Sequence, residues 1–186
     1  MKKQMLTALA VLAFSAAASA QMYGSVSAGV SKQDIDCTGA ATCDDKGTAF
    51  KVLGGYKFMP NLAAELGYFD YGKVKGADSG ASLEAKTNAI GAGVAYHLDF
   101  SPSWTGVARL GAARVKTKLT ATLGSLSGSD SDTNTALYGG LGVGYRMSPT
   151  VTIDGAWDFT KSKYDKNGVD ESWNVHAFSV GVTFGF

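Results

Sequence analysis

The chain has 186 residues, 24 of them glycine, a formal net charge of +1 and a mean hydropathy near zero. This length suits a single domain besides a leader, and the balanced charge argues against nucleic-acid binding, which needs a basic surface. Abundant glycine with balanced hydropathy fits strands that have one apolar face and one small or polar face. It also fits a soluble β protein, so composition alone does not decide between them.

Residues 1–20 have the pattern of a secretory signal peptide. Lys2 and Lys3 give a positive start, an almost wholly apolar run follows, and the three residues before Gln21 read A-S-A, an A-x-A cleavage site. The run is shorter than the roughly 20 residues that a spanning helix needs, so a membrane anchor is the less favoured interpretation. No later apolar run approaches that length, which argues against a helical membrane protein.

Two cysteines, Cys37 and Cys43, lie in a segment of Gly, Ala, Asp and Thr. In an exported protein they predict a small loop disulfide. The alternative, a metal site, needs more ligands than the neighbouring aspartates obviously supply, because two cysteines do not make a zinc set. The stretch D-K-N-G that begins at Asp165 lacks the closing glutamate of a calcium loop. We therefore expect no metal and no cofactor.

Three segments share one pattern, in which a strand ends near a tyrosine and a proline turn leads into the next strand. They are Gly54–Leu62, Val94–Trp104 and Val143–Val151. All three prolines of the chain, Pro60, Pro102 and Pro149, lie in these turns. Because proline cannot donate to a β ladder, its confinement to turns leaves every strand uninterrupted.

Longer polar stretches separate these turns, at residues 31–47, 75–82, 122–132 and 164–170. Three short and four long connections alternate, which predicts eight strands. Their approximate spans are 22–30, 48–58, 62–74, 83–100, 104–119, 133–146, 151–163 and 172–186. Most of them reach the roughly 9–11 residues that a tilted strand needs to cross a bilayer.

Large apolar side chains alternate with small or polar ones along most of these strands. The last strand has Phe178, Val180, Val182, Phe184 and Phe186 on one face. A charge on a lipid face would cost about 2–4 kcal/mol near the midplane, so the faces that hold lysine, arginine and glycine are expected to look inward. By this parity the expected interior charge network contains Lys51, Glu65, Arg109, Arg146, Asp154 and Asp158.

Aromatic residues fall into two groups that predict girdles at the two membrane interfaces. The turn-side group is Tyr56, Phe58, Tyr96, Phe100, Trp104, Tyr145, Phe184 and Phe186; the loop-side group is Phe69, Tyr71, Trp157, Phe159, Trp173 and Phe178. We predict an all-β fold, a transmembrane eight-stranded antiparallel up-and-down β-barrel over residues 21–186, with short periplasmic turns. A soluble lipocalin-type barrel is the alternative fold, but it needs a polar exterior.

The chain resembles the OmpA/OmpX-like family of eight-stranded outer-membrane barrels. The residues that carry this resemblance are Y-G-S-V-S-A-G-V at Tyr23–Val30, G-G-Y-K-F at Gly54–Phe58, A-E-L-G-Y at Ala64–Tyr68 and the terminal G-V-T-F-G-F. It implies a place in the bacterial outer membrane and a last strand that the barrel assembly machinery recognises. The peptidoglycan-binding domain that follows the barrel in full-length OmpA has no counterpart in this sequence.

The function expected from these observations is structural or concerns surface interaction, that is, envelope integrity, adhesion or ligand contact through the extracellular loops. We expect a monomer whose partners are outer-membrane lipid and lipopolysaccharide, the assembly machinery and an extracellular ligand, and no nucleic acid. A small porin-like channel is the alternative. A lipid A-modifying enzyme is less favoured, because His97 and His176 lack an evident nucleophile, and Ser179 faces away from His176.

Overall fold

A computed structural model describes residues 21–34, 42–78, 81–124, 126–166 and 169–186. Over these ranges the chain forms eight long strands and one short strand, all antiparallel. They are β1 (Met22–Gln33), β2 (Thr42–Asp44), β3 (Lys46–Lys57), β4 (Leu62–Asp78), β5 (Ala81–Asp99), β6 (Trp104–Leu123), β7 (Leu126–Arg146), β8 (Val151–Lys166) and β9 (Val169–Gly185). Residues 1–20 and Cys37 lie outside the described residues, so the leader and the disulfide stay predictions.

The sheet closes into a barrel through its first and last strands. Tyr23 lies opposite Gly185, and Val30 lies opposite Phe178, in the ladder between β1 and β9. Around the rest of the barrel each long strand pairs with the long strand that follows it in the chain, so β1 pairs with β3, while the short β2 pairs only with β4. Closure removes both sheet edges and gives every spanning strand backbone partners on both sides, which hydrocarbon requires. The predicted eight-stranded up-and-down barrel is confirmed. No helix in the described ranges is long and apolar enough to cross a membrane.

The three proline turns, which define the turn end of the barrel, share one geometry. In each, the first residue after a strand donates its backbone N–H to the carbonyl of the residue that begins the next strand. These bonds join Phe58 to Leu62 at 3.1 Å, Phe100 to Trp104 at 3.0 Å and Met147 to Val151 at 2.9 Å. The repeat found in the sequence is therefore a repeat of one turn, with proline at its third position.

At the opposite, hairpin end the strands are longer than the sequence predicts. The ladder between β6 and β7 runs to the pair Leu123–Leu126, and the ladder between β4 and β5 runs to Asp78–Ala81. The sequence predicts loops at residues 75–82 and 122–132, because these stretches are rich in Ser, Gly and Asp. They contain no proline, so a ladder already formed in the barrel wall continues through them and satisfies further backbone groups.

The outward face of β9 is apolar, as predicted. Phe178, Val180, Phe184 and Phe186 are 56%, 67%, 45% and 55% exposed, whereas the alternate residues Ala177 and Ser179 are buried in the barrel. The turn-side aromatic girdle is also exposed on the outer surface, and Trp104 and Tyr145 pack edge to face with ring centroids 5.2 Å apart. A soluble barrel would bury these side chains; here they form the surface that faces lipid.

The predicted loop-side girdle is wrong at three positions. Phe69 and Tyr71 are each only 2% exposed and lie inside the barrel, and Trp173 packs against the same interior cluster. Phe69 is four residues after Glu65 on β4, so the alternation that turns Glu65 inward also turns Phe69 inward. The large size of Phe69 suggests a place on the lipid face, but its position in the alternation along β4 determines that it points inward. Trp157, Phe159 and Phe178 do lie on the outer surface.

Candidate functional site

The barrel interior is the candidate site, and its centre is apolar. A cluster of buried residues, called here the plug, comprises Ala49, Leu53, Phe69, Tyr71, Ala89, Ala113, Val115, Tyr138, Val175 and Ala177. The rings of Phe69 and Tyr71 stack with centroids 6.1 Å apart, and Phe69 meets Tyr138 at 5.3 Å. Eight strands enclose a space just wide enough for side chains, and these rings occupy it.

Glycine on neighbouring strands makes room for the Tyr138 ring. A Cβ atom at Gly111 would lie 2.5 Å from Cε1 of Tyr138, and one at Gly93 would lie 2.8 Å from its hydroxyl oxygen. Both distances are too short for van der Waals contact. The inward glycines of β5 and β6 therefore complement an aromatic side chain on β7, and the lumen is filled at this height.

A buried ion pair lies beside the plug. The ammonium of Lys51 on β3 lies 2.5 Å from a carboxylate oxygen of Asp158 on β8, and the two side chains are 6% and 3% exposed. Lys51 is opposite Phe69 in the ladder between β3 and β4, so the pair and the aromatic rings share one level of the barrel. The cavity next to the pair has about 10 Å³, room for about one water molecule.

A second buried pair lies nearer the turn end and has more partners. Nε of Arg109 lies 2.9 and 3.2 Å from the carboxylate oxygens of Glu65. The hydroxyl of Tyr23 donates to Glu65 at 2.5 Å, and Nε2 of His97 lies 3.1 Å from the Tyr23 oxygen. The result is a chain of contacts from β6 through β4 and β1 to β5. Such bonds offset the desolvation of the two charges.

Arg146 and Asp154 pair with none of the other four predicted charges. Arg146 bonds Asp99 and the carbonyl oxygen of Pro102 at the turn-end opening, where its side chain is 33% exposed. Asp154 accepts a hydrogen bond from the Thr183 hydroxyl at 2.8 Å. The six predicted charges thus form two separate buried pairs and two peripheral contacts. Sequence parity did not single out Tyr23 or Asp99 as partners.

A layer of polar side chains lies above the plug, towards the hairpin end. The side-chain oxygen of Gln33 accepts hydrogen bonds from the Thr87 hydroxyl at 3.2 Å and from the Trp173 indole at 3.3 Å. The hydroxyls of Thr117 and Ser162 lie 2.8 Å apart and are fully buried. These bonds link strands across the lumen. A layer of polar contacts therefore borders the apolar plug on its hairpin side.

The two histidines lie in unlike environments. His97 faces the interior and bonds Tyr23, whereas His176 lies on the outer face, stacked on Trp157 with centroids 5.9 Å apart and 3.6 Å from Asp34. Among the hydrogen bonds of the described residues, neither histidine is joined to a serine or cysteine side chain. Within the same ranges, no three His, Cys, Asp or Glu side chains are grouped closely enough to hold a metal ion.

Comparisons with known proteins agree with this architecture. No protein in the curated set matches the chain. Among solved structures, it is similar to Neisserial surface protein A at 21% identity, with a TM-score of 0.63 and coverage of 90% of this chain and 98% of that one. It is also similar to the attachment invasion locus protein Ail of Yersinia pestis at 18% identity, with a TM-score of 0.58 and coverage of 89% and 99%.

The N-terminal β-barrel domain of Pseudomonas aeruginosa OprF is similar at 14% identity, with a TM-score of 0.53 and coverage of 88% of this chain and 97% of that one. At such identities these likenesses show the fold. The family model described as "Outer membrane protein beta-barrel domain" matches residues 6–186, nearly the whole chain. The predicted resemblance is confirmed: the chain belongs to the outer-membrane β-barrel protein family, which resides in the bacterial outer membrane.

Proposed function

We propose that this protein is a closed, non-conducting barrel that serves as a structural element of the outer membrane and as a scaffold for contacts at the cell surface. The observation that carries the proposal is the plug. Phe69, Tyr71 and Tyr138 fill the lumen at the level where Lys51 pairs with Asp158. An ion would have to displace packed rings and break a buried pair, and both changes are costly.

The hairpin end supports the surface role. Orientation follows the family rule that short turns are periplasmic, so the hairpins are extracellular. Arg114 is the first charged side chain on the outward face of β6, and the strand continues nine residues beyond it to Leu123. At about 3.3 Å per residue and a tilt of about 40°, that extension rises about 20 Å. These hairpins therefore present polar side chains on a rigid, paired backbone above the membrane. We propose that adhesion or ligand contact is made there.

A narrow channel is the second candidate function, and the interior charges favour it. Arg109 and Glu65, and Lys51 and Asp158, form two oppositely charged pairs within a lumen that would otherwise be apolar. A channel needs the plug to move aside. Catalysis is not proposed, because His97 contacts a tyrosine and His176 contacts a tryptophan and an aspartate.

Planar-bilayer recordings test the closed barrel. We expect the wild-type protein to show little steady conductance and Phe69→Ala/Tyr138→Ala to show more, because truncation removes two rings from the lumen. Phe178→Ala, which removes a ring from the lipid face, is the matched control and should stay silent. Heat-modifiable gel mobility verifies that each barrel is folded. A steady, ion-selective current through the wild-type protein would instead support the channel.

A further inference from the structure

The outer wall of the barrel has a concentration of positive charge on β4, β5 and β6. Its six members, called here the basic wall, are Lys73, Lys75, Lys86, Arg114, Lys116 and Lys118. On β6 the alternate residues Ala113, Val115 and Thr117 are buried, so the three cations of that strand must point outward. All three are exposed.

A bulge brings β4 into the same surface. The register between β4 and β5 shifts between Asp70 and Lys73, where Gly72 has a φ of 72°. A Cβ atom at Gly72 would lie 2.5 Å from the carbonyl oxygen of Thr48, so glycine suits this position for its conformation and for its space. Beyond the bulge Val74 is 1% exposed and points inward, which leaves Lys73 and Lys75 on the outer face.

The ladders align three lysines in one row across the wall. Lys73 lies opposite Lys86, and Lys86 lies opposite Lys118. Like charges directly opposite each other destabilise a sheet, since their Cβ atoms are only about 5 Å apart. A bound anion between them would remove this repulsion.

Protein carboxylates neutralise only the β4 and β5 side of the wall. Glu84 lies 2.7 Å from Lys73 and 3.6 Å from Lys75, and Asp70 lies 3.2 Å from Lys86. The hydrogen bond from Lys73 lowers the pKa of Glu84 below its ordinary value, so this carboxylate keeps its charge at neutral pH. Within the described part of the chain, Arg114, Lys116 and Lys118 have no ion-pair partner. Six cations therefore face two carboxylates on this wall.

Outside the basic wall, cations at the hairpin end either have carboxylate partners or are single exposed lysines on separate strands, such as Lys46 on β3 and Lys161 on β8. On β1, Lys32 lies 3.7 Å from both Asp34 and Asp45, and His176 on β9 lies 3.6 Å from Asp34. The cluster of three neighbouring uncompensated cations therefore lies on one side of the barrel, on β6. This asymmetry points to a ligand that approaches from that side.

The position of the basic wall along the membrane normal indicates which ligand can reach it. Arg114 is ten residues above Trp104 on β6, about 25 Å along the membrane normal at about 3.3 Å per residue and a tilt of about 40°. The outward apolar band of such barrels is also about 25 Å tall. Trp104 belongs to the turn-side girdle, so Arg114 lies at the opposite border of the hydrocarbon. Lys116 and Lys118 then lie about 5 and 10 Å higher, in the headgroup layer of the outer leaflet.

We propose that the basic wall binds the phosphate groups of lipopolysaccharide, the anionic glycolipid of the outer leaflet. Arginine binds phosphate through two parallel N–H donors, and lysine binds it as a point charge. Phosphates at the height of Arg114 and Lys116 would supply the counter-charge that β6 lacks in the described structure. The inference needs the barrel to lie in the membrane, but it does not need the lumen to be closed.

The test compares two double variants that each remove two lysines. Lys116→Gln/Lys118→Gln changes the basic wall, and Lys46→Gln/Lys161→Gln changes exposed lysines of β3 and β8 elsewhere on the barrel. Each protein is placed in phosphatidylcholine nanodiscs and titrated with bis-phosphorylated lipid A or with the same lipid after its phosphates are removed. Heat-modifiable mobility verifies the fold of each variant.

We expect wild type and the Lys46/Lys161 variant to bind bis-phosphorylated lipid A equally and to lose most affinity for the dephosphorylated lipid. Each lysine near an anionic surface strengthens binding several-fold. The loss of both lysines from the wall should therefore weaken binding about 10- to 30-fold. Equal affinities of the two double variants would overturn the proposal. So would wild-type binding that does not depend on phosphate, or tighter binding of a soluble sulfated polysaccharide than of lipid A. Conductance plays no part in these readouts, so this proposal and the closed barrel fail independently.

Discussion

Glu65 shows how single residues hold this barrel together. It is 2% exposed, accepts a hydrogen bond from Tyr23 and pairs with Arg109, whose side chain is 6% exposed. A buried pair contributes little net stability compared with an apolar pair of similar volume, because both charges lose their hydration. Loss of one partner is different, since it leaves the other charge buried without compensation.

Arg109→Ala should therefore lower the free energy of unfolding by about 3–5 kcal/mol, measured by urea denaturation in detergent micelles. Arg146→Ala is the matched control: its partner Asp99 is 65% exposed, and such a pair contributes about 1 kcal/mol or less. Glu65→Met/Arg109→Met should recover most of the loss, because neither charge remains buried. Equal losses for Arg109→Ala and Arg146→Ala would contradict this account of the pair.

At the scale of the element, each strand is defined by which face its residues take. On β7, Leu141 is 55% exposed on the outer face and Tyr138 is 1% exposed inside. Leu141 lies opposite Ala108, four residues above Trp104, which places it near the middle of the apolar band. Ser129 has the same outward parity on β7 but lies far above that band, where both faces of the hairpin meet water.

Leu141→Arg should destabilise the barrel by about 2–4 kcal/mol, because the charge would face hydrocarbon near the midplane. Ser129→Arg on the same strand and face should change stability by less than about 0.5 kcal/mol, because it adds a charge in water. Unfolding in phospholipid vesicles measures both. If the two substitutions cost the same, the assigned height of the apolar band along β7 would be wrong.

At the scale of the whole molecule, closure accounts for the location. Every spanning strand has backbone partners on both sides, and the surface around the barrel is apolar between the turn-side girdle and the basic wall. The protein should appear in the outer-membrane fraction and migrate differently on gels before and after boiling. Mass spectrometry should show a mature chain that begins at Gln21. Recovery as a soluble periplasmic protein would contradict the conclusion that the barrel lies in the outer membrane.

The architecture was accessible from the sequence because it follows from short-range rules. Alternation along β9 predicts its lipid face, and the three proline turns predict which strands are joined tightly. The same rule, applied from Glu65, places Phe69 inside. The predicted girdle is wrong there because the face of a side chain follows from its position along the strand and not from its size. The hairpins were predicted too short, since polar composition suggests a loop even where a ladder can continue.

What the sequence by itself determined is the closed, lipid-facing barrel, because a strand's two faces and its turns depend on neighbours only a few residues away. Only the tertiary structure decided which charges meet. Arg146 bonds Asp99 and not Asp154, Glu65 receives the Tyr23 hydroxyl, and Lys73, Lys86 and Lys118 align in one row. These contacts depend on the register between strands and on the bulge at Gly72. A one-residue shift of the register, or loss of the bulge, would turn the side chains of the affected strand to the other face.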